Sequence, residues 1–151
     1  MGRRLSTPVD TDDPLFEEML ERNPPVIDGI KLSDSDIPKL LDVSETVGTD
    51  GKRIVELLGV PRDGGPVERD HQISQPEQKE LLKLLDELID GIAVTINTEY
   101  ELSELACKSE STQREIAGEY GPVLLSVYLK AVTIRDLVSF ASEKEIDIHL
   151  N

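Results

Sequence analysis

Ser74-Gln75-Pro76-Glu77-Gln78-Lys79-Glu80-Leu81-Leu82-Lys83-Leu84-Leu85-Asp86-Glu87-Leu88-Ile89-Asp90-Gly91-Ile92 is the stretch that decides the fold class. Its first four residues form a capping box, in which the Ser74 oxygen accepts from a first-turn amide and Glu77 reaches back to the cap. Pro76 falls in the first turn, where a missing N–H is tolerated. Leu81, Leu82, Leu84, Leu85, Leu88, Ile89 and Ile92 then recur at helical spacing and give a wide apolar face from about 76 to 91. A face that broad needs other helices to cover it.

Helical signals continue on both sides. Downstream, Ala93 to Thr98 is rich in β-branched residues and reads either as strand or as continued helix. Tyr100 to Lys108 is helical again, Ser111 to Tyr120 is a weaker helix ended by Gly121, and Pro122 opens a long apolar helix. Thr133 is placed to cap a final segment holding Ile134, Leu137, Val138 and Phe140. Upstream, Gly59 to Ser74 is a polar loop with three Gly and two Pro, long enough to mark a boundary. Before it, Asp12 or Asp13 caps a short helix that puts Leu15, Phe16, Met19 and Leu20 on one face. Val26 to Leu32 is an apolar, extended connector, and Ser33 or Ser35 caps a second helix broken at Gly48 to Gly51. Residues 1–12 show no period and read as an extended arm.

The expected architecture is therefore mainly α: a helical bundle-like domain with an extended N-terminal arm and at most one short strand pair. Its segments are the arm (1–12), an N-terminal helical segment (13–58), a loop or linker (59–75) and a C-terminal helical domain (76–151).

Charge narrows the function. The 151 residues hold 31 acidic and 16 basic side chains, a formal net charge of −15. Residues 1–75 carry 16 acids and 9 bases and residues 76–151 carry 15 and 7, so the excess is spread evenly. That argues against a dedicated polyanion binder and against docking on an anionic bilayer. An even acidic surface suits either concentrated salt, which screens self-repulsion, or a basic partner. Leu, Ile, Val and Phe make up 46 residues, enough for an aliphatic core despite the charge. With one cysteine, Cys107, no intrachain disulfide is possible, and no apolar run approaches the ~20 residues that span a bilayer. The start, Met1 to Ser6, lacks the apolar stretch of a secretory signal, so the expected location is cytoplasmic, or a virion if the chain is viral.

Motifs for chemistry are weak. Gly48-Thr49-Asp50-Gly51-Lys52-Arg53 has Thr46 where a phosphate loop needs its first Gly and Arg53 where it needs Ser or Thr, so it reads as a helix break. Asp10, Asp12 and Glu21 match three positions of a calcium loop, but Pro14 and Leu15 stand where the sharp turn must be. His71 reads as a solvated loop histidine and Cys107 as a small buried apolar side chain. No enzyme activity, cofactor or metal is expected.

Tyr100 to Ile116 (YELSELACKSESTQREI) resembles a helix-turn-helix. That resemblance implies base contacts from Ser111, Thr112, Gln113 and Arg114, and a transcriptional regulator adapted to high salt. The turn lacks Gly, and Glu110 stands where an apolar residue is usual. The leading expectation is instead a non-enzymatic structural or assembly subunit of a virion, capsid-associated or of the head–tail connector type, from a halophilic system. Its partners are other protein subunits, homo- or hetero-oligomeric; nucleic acid enters only under the regulator reading. Partner contacts are expected from Leu15, Phe16, Met19 and Leu20 on the first helix and from Val123, Val127 and Tyr128 on the Pro122 helix. Removing residues 1–12 is expected to block incorporation without unfolding the domain.

Overall fold

A computed structural model describes residues 3–59 and 71–150. Among these residues there are four strands and seven helices. In chain order they are β1 Arg3–Ser6, α1 Pro14–Glu21, β2 Ile30–Leu32, α2 Asp36–Val47, α3 Gly51–Leu57, β3 His71–Ile73, α4 Gln75–Ile96, α5 Leu102–Ala106, α6 Glu110–Ala117, α7 Gly121–Lys144 and β4 Ile148–Leu150. Helix dominates, as the Ser74–Ile92 pattern predicts. The expectation of at most one strand pair is corrected: the strands form one antiparallel sheet in the order β2-β1-β4-β3, with three pairings.

The residues expected to form a free arm supply a central strand. Leu5 pairs with Ile30 on one side and Leu150 on the other, so the segments nearest the two chain ends lie side by side mid-sheet. Its side chain is fully buried, as are Ile73, Ile148 and Leu150. Strand alternation places these on one face, with Ile30 and Leu32. They join a single buried cluster with Leu85, Leu88 and Ile92 of α4 and with Ile134, Leu137 and Val138 of α7. The two long helices α4 and α7 form the main helical contact. Burying one such leucine stabilises by about 1.5–3 kcal/mol.

The capping box forms as read, with Glu77 Oε1 accepting from the Ser74 amide at 3.2 Å. Gln78, one turn in, is buried, and its Nε2 donates to the carbonyls of Ile73 (3.1 Å) and Ile146 (3.0 Å). A polar residue on the apolar face thus ties the helix start to the end of β3 and to the turn that leads into β4. The 93–98 ambiguity resolves to helix as far as Ile96, where Asn97 turns left-handed at φ 47°. Thr95 Oγ1 donates to the Gly91 carbonyl at 2.7 Å, which absorbs its hydroxyl within the helix. The same device at Thr133, bonded to Leu129 O at 2.8 Å, explains why α7 runs on without the expected cap. Gly118 at φ 86°, not Gly121, ends α6; Gly121 begins α7.

Most of the expected 59–75 linker, residues 60–70, lies outside the described residues. His71 belongs to β3 and is half-buried, which corrects its reading as a solvated loop residue.

Helix α4 approaches α2 closely at Gly91. An alanine there would gain about 1 kcal/mol of helix propensity. Its Cβ, however, would stand 2.8 Å from Val47 Cβ and 2.9 Å from Cγ2. Overpacking of this kind costs about 1–3 kcal/mol, so Gly91→Ala is expected to lower the urea midpoint. Adding Val47→Ala should restore part of that loss. A midpoint raised by Gly91→Ala alone would contradict the close approach.

Candidate partner-binding surfaces

Helix α1 begins at Asp13, whose Oδ1 accepts from the Leu15 amide at 2.9 Å, with Pro14 as its first helical residue. Its apolar residues do not share one fate. Met19 is in the core at 1% exposure, Leu15 packs half-buried against it, and Phe16 is half-buried. Leu20 is 55% exposed, with exposed Glu17 one turn before it; Glu17 and the exposed Glu21, four apart, share a face. Beyond the helix, the Val26 amide donates to the Met19 carbonyl at 2.9 Å. Ile27, just past this bond, is also 55% exposed.

Ion pairs hold α1 to the C-terminal end of α7. Arg22 Nη2 lies 2.8 Å from Glu143 Oε2 and 3.3 Å from Glu18 Oε1, and its guanidinium carbon sits 5.2 Å from the Phe140 ring centre. Lys144 Nζ reaches Glu18 at 2.7 Å, and that hydrogen bond holds the Glu18 carboxyl below the usual carboxylate range. All four charged side chains are partly exposed, so the network orients α1 more than it stabilises the fold. Under this network a hollow of about 160 Å³ opens between Asn23, Pro24 and Phe140. That is below the ~300 Å³ at which small-molecule pockets begin.

The Pro122 helix gives less to the surface than its sequence promises. Val127 is 3% exposed, and Val123 and Tyr128 pack half-buried against the core. Exposed apolar area on α7 comes from Leu129, at 39%.

Helices α5 and α6 do form, joined by Cys107, Lys108 and Ser109, and both pack on α7. Ser109 caps α6, its Oγ accepting from the Thr112 amide at 3.3 Å. Gln113 points inward at 7% exposure, and its Nε2 donates to the carbonyls of Leu105 (3.3 Å), Ala106 (3.0 Å) and Lys108 (3.1 Å). These carbonyls lie at the end of α5 and in the link after it, and Leu105 O also accepts from the Lys108 amide at 3.0 Å, so the side chain acts as a clamp between the two helices. Ser111 and Arg114 are exposed, and Arg114 pairs with Glu110 at 3.3 Å and Glu119 at 4.0 Å. Cys107 is exposed on the rim of an open concavity, which corrects its reading as a buried residue.

Sequence reasoning missed the sheet's outer surface. Arg4 stands opposite Lys31, and Ser6, His149 and Gln72 are aligned across β1, β4 and β3. The alternation that buries Leu5 turns this row away from the core. Gly29, at φ +71°, makes room for the Arg4 guanidinium: a Cβ there would stand 2.5 Å from Nη2. No strand carries a carboxylate. Once the strands are known, the signal is readable, since none of the four described strands carries an acid in a chain with 31 of them.

Comparison with known protein families, curated proteins and solved structures finds no match to this chain. Among the described residues, no helix is long and apolar enough to cross a membrane. Nor, among them, is any group of three or more His, Cys, Asp or Glu side chains placed to hold a metal ion.

Proposed function

We propose that this chain is a non-enzymatic assembly subunit of a larger protein complex, of the virion type, capsid-associated or connecting head and tail, from a high-salt system. The observation that carries this reading is the exposure of two large apolar side chains, Leu20 on the carboxylate-rich α1 and Ile27 shortly after it, each 55% exposed. Large apolar side chains left exposed among charged ones have the make-up of docking anchors within a polar rim. The even acidic surface supports a setting in concentrated salt. The regulator reading has less support. Gln113 is engaged internally, and Arg114 is shared between two glutamates, so the second helix offers a duplex few free donors.

The reading is tested by expressing a tagged chain in its native host and sedimenting the lysate through a density gradient. The wild-type chain is expected in the particle fraction. Leu20→Asp with Ile27→Asp, both at exposed positions, should leave the fold intact and shift the chain to the soluble fraction. Co-sedimentation of the folded double variant would count against this surface. A wild-type chain found only in the soluble fraction would remove the assembly reading.

A further inference from the structure

The exposed face of the sheet is built against the grain of the whole molecule. Like charges directly opposite each other on neighbouring strands destabilise a sheet, yet Arg4 and Lys31 are such a pair and both are exposed. Neither takes part in an ion pair among the described residues. The neighbouring α7 adds Lys130, whose Nζ bonds the Lys31 carbonyl at 2.8 Å. We propose that this face, centred on Arg4 and Lys31, receives the Glu17 and Glu21 carboxylates of a second copy of this chain, which lie one turn apart on one face of α1.

The chemistry selects that occupant. Duplex DNA is held by many phosphate contacts at once, and an anionic bilayer by clusters of about four to eight cations; two strand cations and a lysine already near Asp36 at 3.7 Å are too few. Single strands are gripped by aromatic stacking platforms, and the row Lys31, Arg4, Ser6, His149, Gln72 contains no aromatic residue. A carboxylate-bearing protein surface remains, because guanidinium groups pair with carboxylates in a fork. The chain's own α1 presents two exposed carboxylates, Glu17 and Glu21, one turn apart, which matches the two exposed cations of the sheet in number and charge.

Both patches can be used at once. Helix α1 is held near Glu143 and Lys144, while Lys130 bonds the backbone of β2 at Lys31. At 1.5 Å per residue along α7 these points are about 20 Å apart. The contact is therefore between different surfaces of the two copies, which builds a ring or a chain of subunits and not a closed pair. This inference rests on the assembly reading and adds the contact between copies.

The test is sedimentation velocity of the full chain over a concentration series at fixed salt. Wild type is expected to form species larger than a dimer as concentration rises. Arg4→Gln with Lys31→Gln, and separately Glu17→Gln with Glu21→Gln, should each lose association while circular dichroism stays unchanged. Mixed in equal amounts, the two variants should form a one-to-one dimer and nothing larger, because each keeps one working face. If the first double variant fails to fold, Lys31→Gln alone should still weaken association. A monomeric wild type, variants that associate like wild type, or a mixture that stays monomeric would each overturn the proposal. A wild type that stays monomeric but sediments with the particle in the host would remove this contact and leave the assembly reading standing.

Discussion

Deleting residues 1–6 is expected to unfold the sheet and bring the whole domain close to instability. The deletion removes a strand bonded on both sides, so β2 loses its partner and β4 is left paired only with β3. It also removes Leu5, which is fully buried in the core cluster. The milder Leu5→Ala alone should cost about 2–5 kcal/mol, the usual range for a buried leucine, against a typical total stability of about 5–15 kcal/mol. Urea denaturation followed by circular dichroism reads both. A truncated chain with an unchanged midpoint would mean that the segment is a dispensable arm.

Gln113→Leu carries the second large effect. The substitution keeps a side chain of similar size but takes the Nε2 donor away from the carbonyls of Ala106 and Lys108, while Leu105 O keeps its bond from the Lys108 amide. An unsatisfied buried acceptor costs about 1–3 kcal/mol. Because Lys108 is exposed and water can reach part of this turn, a net loss of about 2–3 kcal/mol is expected. Arg114→Ala on the same helix is the control: its ion pairs are exposed, and a change within about 0.5 kcal/mol is expected. Equal effects of the two substitutions would contradict the inward placement of Gln113 and restore its candidacy as a surface contact.

The helices were legible and the sheet was not, and the cause is length. The 22 residues of α4 repeat the apolar signal over six turns and are bracketed by a capping box and a left-handed Asn97. The strands are three or four residues each (RRLS, IKL, HQI, IHL), with one or two core-facing apolar positions apiece. Alternation is recognisable over about four to eight residues, so none of them stands out alone. Their stability comes from pairings across the length of the chain, which a local window does not contain. The surfaces follow the same logic. Leu15, Phe16, Met19 and Leu20 share a helical face in projection, but covering that face took Met19 and left Leu20 outside. Likewise, Val127 faces the core because α7 is packed on several sides, by α4, α5 and α6. Arg4 and Lys31 were visible as single residues, whereas their juxtaposition exists only once the register of β1 and β2 is set.

Nuclear Overhauser effects on the isotope-labelled chain test the central structural claim most directly. The account predicts cross-strand contacts from Leu5 to both Ile30 and Leu150, and from Ser6 to His149. Residues 3–6 with coil-like shifts and no long-range contacts would contradict it, taking away both the central strand and the basic face built on it.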